Sequence, residues 1–328
     1  GVDMAVVHVV ERFLTSVRPT GVDGIRATCP FCESSRAFVM SDDTGMWTCF
    51  SCERSGSLTS FLYSVGLKRD SIDRLIASAS LREVPEHLKR RKKLLEQWDT
   101  LPEYALCAYD MCPVDMLELG FTEDTLLDND VGYDRHEDRI TFAIRDYLGR
   151  LVGVSGRARK KWMNPRYKVY IEAFYPVLEG YQPQNREHLY GFHTVFPRRY
   201  FSPDDSSPVI IVEGYKACLW LRQIGFEDTV AIQGSLATPT QIKLLNRIKG
   251  PKYVFLDNEP GKAFPSEEKS WHAAKMVRKL SVAGDAFICS YPEGTEERIS
   301  PDDLDRGQVE WILDHAERLS KATLKYRK

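Results

Sequence analysis

No run of apolar residues in this 328-residue chain reaches the roughly 18 that a membrane-spanning helix needs, so nothing in the sequence calls for a bilayer. The start, Gly1-Val2-Asp3-Met4, lacks the basic-then-apolar profile of a signal peptide and reads as a tag remnant before Met4. There is no internal repeat and no low-complexity tract. An excess of one charge is missing too: 45 Lys and Arg against 47 Asp and Glu leave a formal net charge of −2, so any nucleic-acid footprint must be local. No G-x-x-x-x-G-K-[ST] sequence occurs, and Pro260-Gly261-Lys262-Ala263 fails that pattern. What remains is an ordinary globular composition, expected in the cytoplasm, on a chain long enough for two or three domains.

Eight cysteines could suggest disulfides, but four of them form two C-x-x-C pairs, which in an intracellular protein point to metal. Cys29-Pro-Phe-Cys32 and Cys49-Phe-Ser-Cys52 each place two thiolates on one tight knuckle, and two knuckles on adjacent hairpins close a tetrahedral zinc site. Ala37-Phe38-Val39 and Met46-Trp47-Thr48 read as the hairpin strands between them, turning at Asp43-Thr44-Gly45. Four thiolates leave no open position, so this zinc is expected to be structural. Cys107, Cys112, Cys218 and Cys289 read as core packing.

Four regions separate by texture. Residues 1–62 carry an apolar helix candidate (Met4 to Leu14) and the cysteine pairs; residues 63–100 read as a charged helical linker containing Lys89-Arg90-Arg91-Lys92-Lys93. Residues 101–190 contain short strand candidates, Arg139 to Ile144 and Leu151 to Val154, around a Gly149-Arg150 turn. Residues 191–328 alternate strands and helices. Val209 to Val212 is a continuous β-branched run, as expected of a strand buried on both faces. Thr229 to Ile232, Tyr253 to Leu256 and Ala286 to Ser290 are the other strands. Tyr215 to Ile224, a helix opened by Thr238-Pro239-Thr240-Gln241, Glu267 to Val282 and Gln308 to Leu324 are the helices. The expected fold is multidomain α/β: a small β zinc ribbon, a mixed α+β basic subdomain, and an α/β domain with a parallel-type sheet.

Acidic residues gather at the strand ends of that last domain. Glu213 follows one strand, Asp257 and Glu259 another, and Asp302 and Asp303 a later strand and loop. Carboxyl ends of parallel strands line the ligand crevice, and clustered carboxylates are costly unless a cation neutralises them. Hard oxygen ligands suit magnesium or manganese, which stabilise attacking and leaving oxygens in phosphoryl transfer. The residues alone leave helix capping open as a second role for these acids.

The surrounding segments Ile210-Ile211-Val212-Glu213-Gly214-Tyr215, Ala231-Ile232-Gln233-Gly234-Ser235 and Phe255-Leu256-Asp257-Asn258-Glu259 resemble the TOPRIM domain shared by bacterial-type primases, topoisomerases, recombination mediators and some nucleases. The resemblance implies that Glu213 does acid/base or metal work and that Asp257 and Glu259 form the metal pair. It also implies that one of Asp302 and Asp303, in Ser300-Pro301-Asp302-Asp303-Leu304, adds a ligand. Two departures are Glu259 in place of a second aspartate and Ala217 where replicative primases carry an aspartate.

From Arg150 to Ile171 the chain has seven basic residues and no acid, with Trp162, Tyr167 and Tyr170 interleaved. Cations beside aromatic faces suit a single-stranded backbone or a triphosphate, though such a run also serves as a plain solvated face. Asp138 to Asp146, Gly149-Arg150, Gly153 to Arg157, Pro165-Arg166-Tyr167 and Leu189-Tyr190-Gly191 resemble the basic subdomain that precedes TOPRIM in bacterial replicative primases. The resemblance implies template or nucleotide contacts from Arg139, Arg145, Arg157 and Arg166, and the basic run adds Arg159, Lys160 and Lys168 as candidates for the same role. The order of parts resembles a stand-alone phage-type DNA primase that makes short RNA primers from NTPs on single-stranded DNA, monomeric in isolation and served by a replicative helicase in trans. A TOPRIM nuclease and a non-catalytic recombination-mediator-like DNA clamp are the rival readings.

Overall fold

The structure, a computed structural model, describes residues 5–21, 23–79, 100–170, 184–263, 272–280 and 285–318. The basic run 89–93 and the first part of the helix expected over 267–282 lie outside the described residues. The chain divides into two compact units: Gly1–Met111 with Gly132–Asn185 and Phe196–Phe201, and Cys112–Val131 with Arg186–Val195 and Ser202–Lys328.

In the first unit, helix α1 (Val6–Val10) precedes a five-stranded sheet in sequential order: β1 (Thr15–Thr20), β2 (Gly24–Thr28), β3 (Phe38–Ser41), β4 (Trp47–Cys49) and β5 (Ser55–Gly56). All neighbours pair antiparallel, with Phe38 opposite Cys49 and Met40 opposite Trp47. That register sends Phe38, Met40 and Trp47 to one side, where they pack on Phe61 and Leu62 of helix α2 (Leu58–Ser64). Ser57 caps α2 by accepting from the Ser60 N–H, and its carbonyl accepts from Trp47 Nε1 at 2.9 Å. The β3–β4 turn needs Gly45: its φ is +76°, and a Cβ there would stand 2.5 Å from Leu58 Cβ. Helix α3 (Arg69–Ala79) is the start of the segment read as a linker. It is anchored rather than solvated, because Ile72, Leu75 and Ala79 fall on one face and join the same core.

The same unit holds a second sheet, ordered β6 (Val131–Asp134), β7 (Arg139–Arg145), β8 (Leu151–Ala158) and β9 (Tyr167–Val169). Every residue of β7 is buried. The β7–β8 turn is organised by Asp146, whose Oδ1 accepts from the Leu148 and Arg150 amides at 3.0 and 2.9 Å. A 3-10 helix, Glu103–Tyr109, buries Glu103, Leu106 and Tyr109 at threefold spacing. Cys107 therefore points outward and is exposed, and Cys112 is only half-buried; core packing holds for Cys218 and Cys289 alone.

The second unit contains a sheet ordered β11-β10-β12-β13-β14, from β10 (Val209–Val212), β11 (Thr229–Ala231), β12 (Lys252–Val254), β13 (Ala286–Ile288) and β14 (Glu317–Arg318). The first four are mutually parallel. Their connecting helices are α4 (Tyr215–Gln223), α5 (Pro239–Leu245) and α6 (His272–Leu280); α7 (Arg306–Asp314) follows β13. The capping box of α5 is present as the sequence indicates: Gln241 N–H donates to Thr238 Oγ1 and Gln241 Oε1 accepts from the Thr238 amide. The C-terminal helix is shorter than expected. It ends at Asp314, and Glu317–Arg318 instead adds an antiparallel edge to β13. From β10 the chain crosses first to one neighbour, β11, and later to the other, β12. The carboxyl ends of β10 and β12 thus form a topological switch point.

Candidate metal centres and nucleic-acid interface

The cysteine knuckles are built alike. In each, the amide of the first cysteine donates to a carbonyl five residues on, Cys29 to Ser34 at 2.9 Å and Cys49 to Arg54 at 2.8 Å. In each, the residue after the second cysteine, Glu33 or Glu53, takes positive φ (59° and 60°) to close the loop. The four Sγ atoms lie within 4.8 Å of one another; Cys29–Cys52 is 4.0 Å and Cys32–Cys49 is 3.6 Å. A tetrahedron with zinc–sulfur bonds of 2.3 Å has edges of about 3.8 Å, so the donor set and its spacing both fit zinc. Burial pushes the Cys29 thiol up to about 12, while a hydrogen bond from the Ser34 backbone draws Cys32 down to about 7. This is a structural zinc site.

At the switch point, Glu213 directly follows β10 and Asp257 lies just beyond β12. The acid loop after β12 is clamped from the side: the Asn258 amide donates to the Ile299 carbonyl at 2.7 Å, the Arg298 amide donates to the Asn258 carbonyl at 2.8 Å, and Asn258 Nδ2 donates to Glu296 O at 2.8 Å. That clamp leads straight into Ser300–Asp303. Trp220 of α4 fixes the far end, donating from Nε1 to Leu304 O at 2.7 Å.

The two acids left open by the sequence are now distinguishable. Asp303 closes a capping box, its Oδ2 accepting from the Ser300 amide at 2.9 Å. Asp302 is the more sheltered of the two, lies 3.6 Å from Lys216 Nζ, and raises the Asp257 carboxyl through space. Asp257 itself is pushed up to about 8, by burial first and by the adjacent Glu213 carboxylate second. Ala217 is buried, so no carboxylate occupies that position.

Nothing local in the sequence marks a basic side chain as a member of this cluster. Lys262 supplies one: its Nζ lies 2.8 and 2.9 Å from the two oxygens of Glu213 and 3.3 Å from Glu259 Oε2. Glu213 Oε1, although 2.8 Å from Nζ, has no hydrogen-bond partner among the described residues. Among the described residues the acids do not draw in to the mutual spacing of the cysteines. The donor set is all oxygen and partly buried, which fits a hard divalent ion.

The basic residues divide by position. Arg139 and Arg145 are each only 4% exposed. Arg139 donates to the Pro165 carbonyl at 2.7 Å, and Arg145 forms a two-pronged ion pair with Glu103 at 2.6 and 3.0 Å. Arg159 pairs with Asp138 and Lys168 with Glu137, both at 2.7 Å. Arg157 is half-buried, with Nε lacking a hydrogen-bond partner among the described residues. The β8–β9 turn carries the exposed group: Lys160, Lys161 and Arg166 around Trp162, which is 75% exposed with Lys160 Nζ 5.9 Å from its ring centre. Tyr170 faces inward instead, donating its hydroxyl to Asp134 at 2.6 Å.

Residues 2–89 match the family model described as the CHC2 zinc finger. Proteins named DNA primase are similar over more of the chain. That of Clostridium acetobutylicum is 23% identical over 283 residues, 70% of this chain and 44% of its own length. That of Deinococcus radiodurans is 24% identical over 292 residues, 74% of this chain and 48% of its own. The crystal structure of the zinc-binding and RNA polymerase domains of Aquifex aeolicus primase superposes on 97% of the chain, with a TM-score of 0.54, 18% identity and 84% of that chain covered.

The chain is similar in sequence and in fold to bacterial DNA primases. It spans about half the length of those two curated primases. Its fold is that of primase zinc-binding and polymerase domains: a zinc ribbon and a mixed α/β core. Against the CHC2 description, the second zinc ligand in this primase relative is Cys32, so its knuckles are both C-x-x-C.

Among the described residues no helix is long and apolar enough to cross a membrane.

Proposed function

We propose that this chain is a DNA primase, synthesising short RNA primers from NTPs on a single-stranded DNA template by metal-dependent nucleotidyl transfer. The observation that carries the reading is the placement of Glu213 and Asp257 at the carboxyl ends of two adjacent parallel strands, with Asp302 brought beside Asp257, in a chain that also carries a zinc ribbon and a basic sheet. In this reading residues 1–62 read the template, 63–100 connect, 101–190 hold template and nucleotide, and 191–328 are a TOPRIM-like catalytic subdomain.

Glu213, Asp257, Glu259 and Asp302 would hold magnesium or manganese, while Asp303 shapes the turn that presents Asp302. Bound there, the metal supplies charge neutralisation for the triphosphate and activates the attacking 3′-hydroxyl. The remaining work is positioning. Lys160, Lys161 and Arg166 would present exposed charge to phosphates, with Arg157 and Lys168 on β8 and β9 behind them and Arg159 just past the end of β8. Arg139 and Arg145 act from inside, fixing the β7–β8–β9 framework through Pro165, Gly149 and Glu103. A replicative helicase acting in trans completes the proposal.

The test is to supply the protein with single-stranded templates of varied sequence, labelled ribonucleotides and magnesium. Oligoribonucleotides are expected, and Asp257→Ala should reduce them by about 10³-fold or more, since it removes the ligand shared by the two strand ends. Degradation of the template, or binding without synthesis, would overturn the reading in favour of a nuclease or a DNA clamp.

A second expectation concerns the exposed tryptophan. A base stacked on an aromatic ring contributes about 1–3 kcal/mol, so Trp162→Ala should weaken binding of a labelled oligodeoxythymidylate about tenfold, and Trp162→Phe much less. Fluorescence anisotropy at fixed salt measures this. Equal affinities for the three proteins would leave the β8–β9 turn a plain solvated face.

A further inference from the structure

Resting on the reading that the switch-point acids take a divalent metal, we infer that Lys262 is a tethered counter-ion that the metal must displace. The chain turns back after the acids through Pro260 and Gly261, the latter at φ +79°, and this return delivers the lysine into the cluster it has just left. The return is pinned at both ends, since the Lys262 amide donates to Glu259 O at 3.2 Å and the Lys262 carbonyl accepts from the Ala273 amide at 2.9 Å. The side chain is nine-tenths buried, and its ammonium stands between Glu213 and Glu259. No exposed lysine making a casual surface pair would have this geometry: one cation serves two carboxylates from different segments of the chain.

The position matters because it is the one a metal would use. A divalent ion held by Glu213 would have to use the carboxylate oxygens that Nζ now faces at 2.8 and 2.9 Å. The two cations cannot both be there. The metal-free protein thus keeps Glu213 and Glu259 from repelling each other by holding its own positive charge between them. Metal entry then requires Lys262 to withdraw, leaving an ammonium on a flexible four-carbon stem at the rim of the cluster. Metal affinity is consequently a difference: the attraction of the acids for the ion, less their attraction for the lysine.

Two measurements on the whole chain test this without primer synthesis as a readout. The first is manganese affinity, from the EPR signal of free Mn²⁺, together with the melting temperature with and without Mg²⁺. Lys262→Met should bind Mn²⁺ about tenfold or more tightly than the parent. It should also melt lower when metal-free and recover on adding Mg²⁺. Lys262→Arg should behave as the parent, because the charge is kept. The second measurement uses the unaltered protein, which keeps the inference testable should Lys262→Met fail to fold. Lys262 should resist acetylation by an amine-reactive ester when metal-free and become reactive when Mg²⁺ or Mn²⁺ is added, read by mass spectrometry.

Unchanged or weaker Mn²⁺ binding by Lys262→Met, or a lysine whose reactivity does not rise with metal, would overturn the inference. If the parent protein binds no Mn²⁺ at all, the metal reading beneath it fails as well. Metal exchange with no primer product would leave the exchange standing and remove only the proposed activity.

Discussion

Stripping the zinc, or changing Cys49→Ser, is expected to unfold the first sheet rather than loosen it. Structural zinc contributes about 10–16 kcal/mol of apparent binding free energy in small zinc modules, while a core of this size supplies only about 3–5 kcal/mol of net stability. The knuckles are also not peripheral. Cys29 and Cys49 are themselves members of the buried cluster with Phe38, Trp47 and Phe61, and Cys49 pairs directly with Phe38 across β3–β4. Without metal, the uneven thiols of that cluster lose their common partner, and both ends of the β3–β4 hairpin are released. Chelation should abolish the near-ultraviolet dichroism of Trp47 and its neighbours and the amide protection of β2 to β4. It should release one zinc per chain to a colorimetric chelator. Retained protection in those strands after complete zinc removal would show that the apolar core suffices alone.

The second large effect is expected at Glu103→Ala. This carboxylate is buried, accepts two hydrogen bonds from Arg145, and also receives the Tyr63 hydroxyl at 2.9 Å, with Arg69 at 3.7 Å. Removing it strands a guanidinium inside the protein, and breaking a buried pair in this way costs about 3–5 kcal/mol. Replacing both partners, as in Glu103→Met with Arg145→Met, should cost far less, because neither charge is then left unpaired. Urea denaturation of the two single variants and the double variant decides the matter. A double variant as unstable as the sum of the singles would mean that the pair contributes through shape alone.

Some of this was legible in the sequence for clear physical reasons. Four thiols at two-residue spacing have few other uses, and a β-branched run such as Val209–Val212 fits a strand buried on both faces. The Thr238–Gln241 capping box names its own helix start. Other features were hidden because they depend on pairing between distant residues. Nothing local marks β1: Thr15–Thr20 is largely exposed and polar, and only pairing with β2 makes it a strand. Arg145 lies in a sequence that suggests nucleic-acid contact, yet its partner Glu103 stands 42 residues away. Lys262 stands in a segment that fails the phosphate-loop pattern and carries no other local signal, because its importance comes from folding back onto Glu213, 49 residues earlier. Asp302 and Asp303 are adjacent in sequence, and only the Ser300 cap tells them apart.

Glu103 has a wider meaning than its own ion pair. Tyr63 and Arg69 come from the helices that close the zinc ribbon, Arg145 comes from the buried strand of the second sheet, and all three converge on one carboxylate. Asp73 of α3 adds to the seam by accepting from the Glu103 and Tyr104 amides at 2.9 and 2.8 Å. The ribbon is therefore not a bead on a string next to the second sheet. Through that shared carboxylate, a zinc ion bound at the knuckles is expected to make the strand carrying Arg145 open to solvent less often, as hydrogen exchange would read.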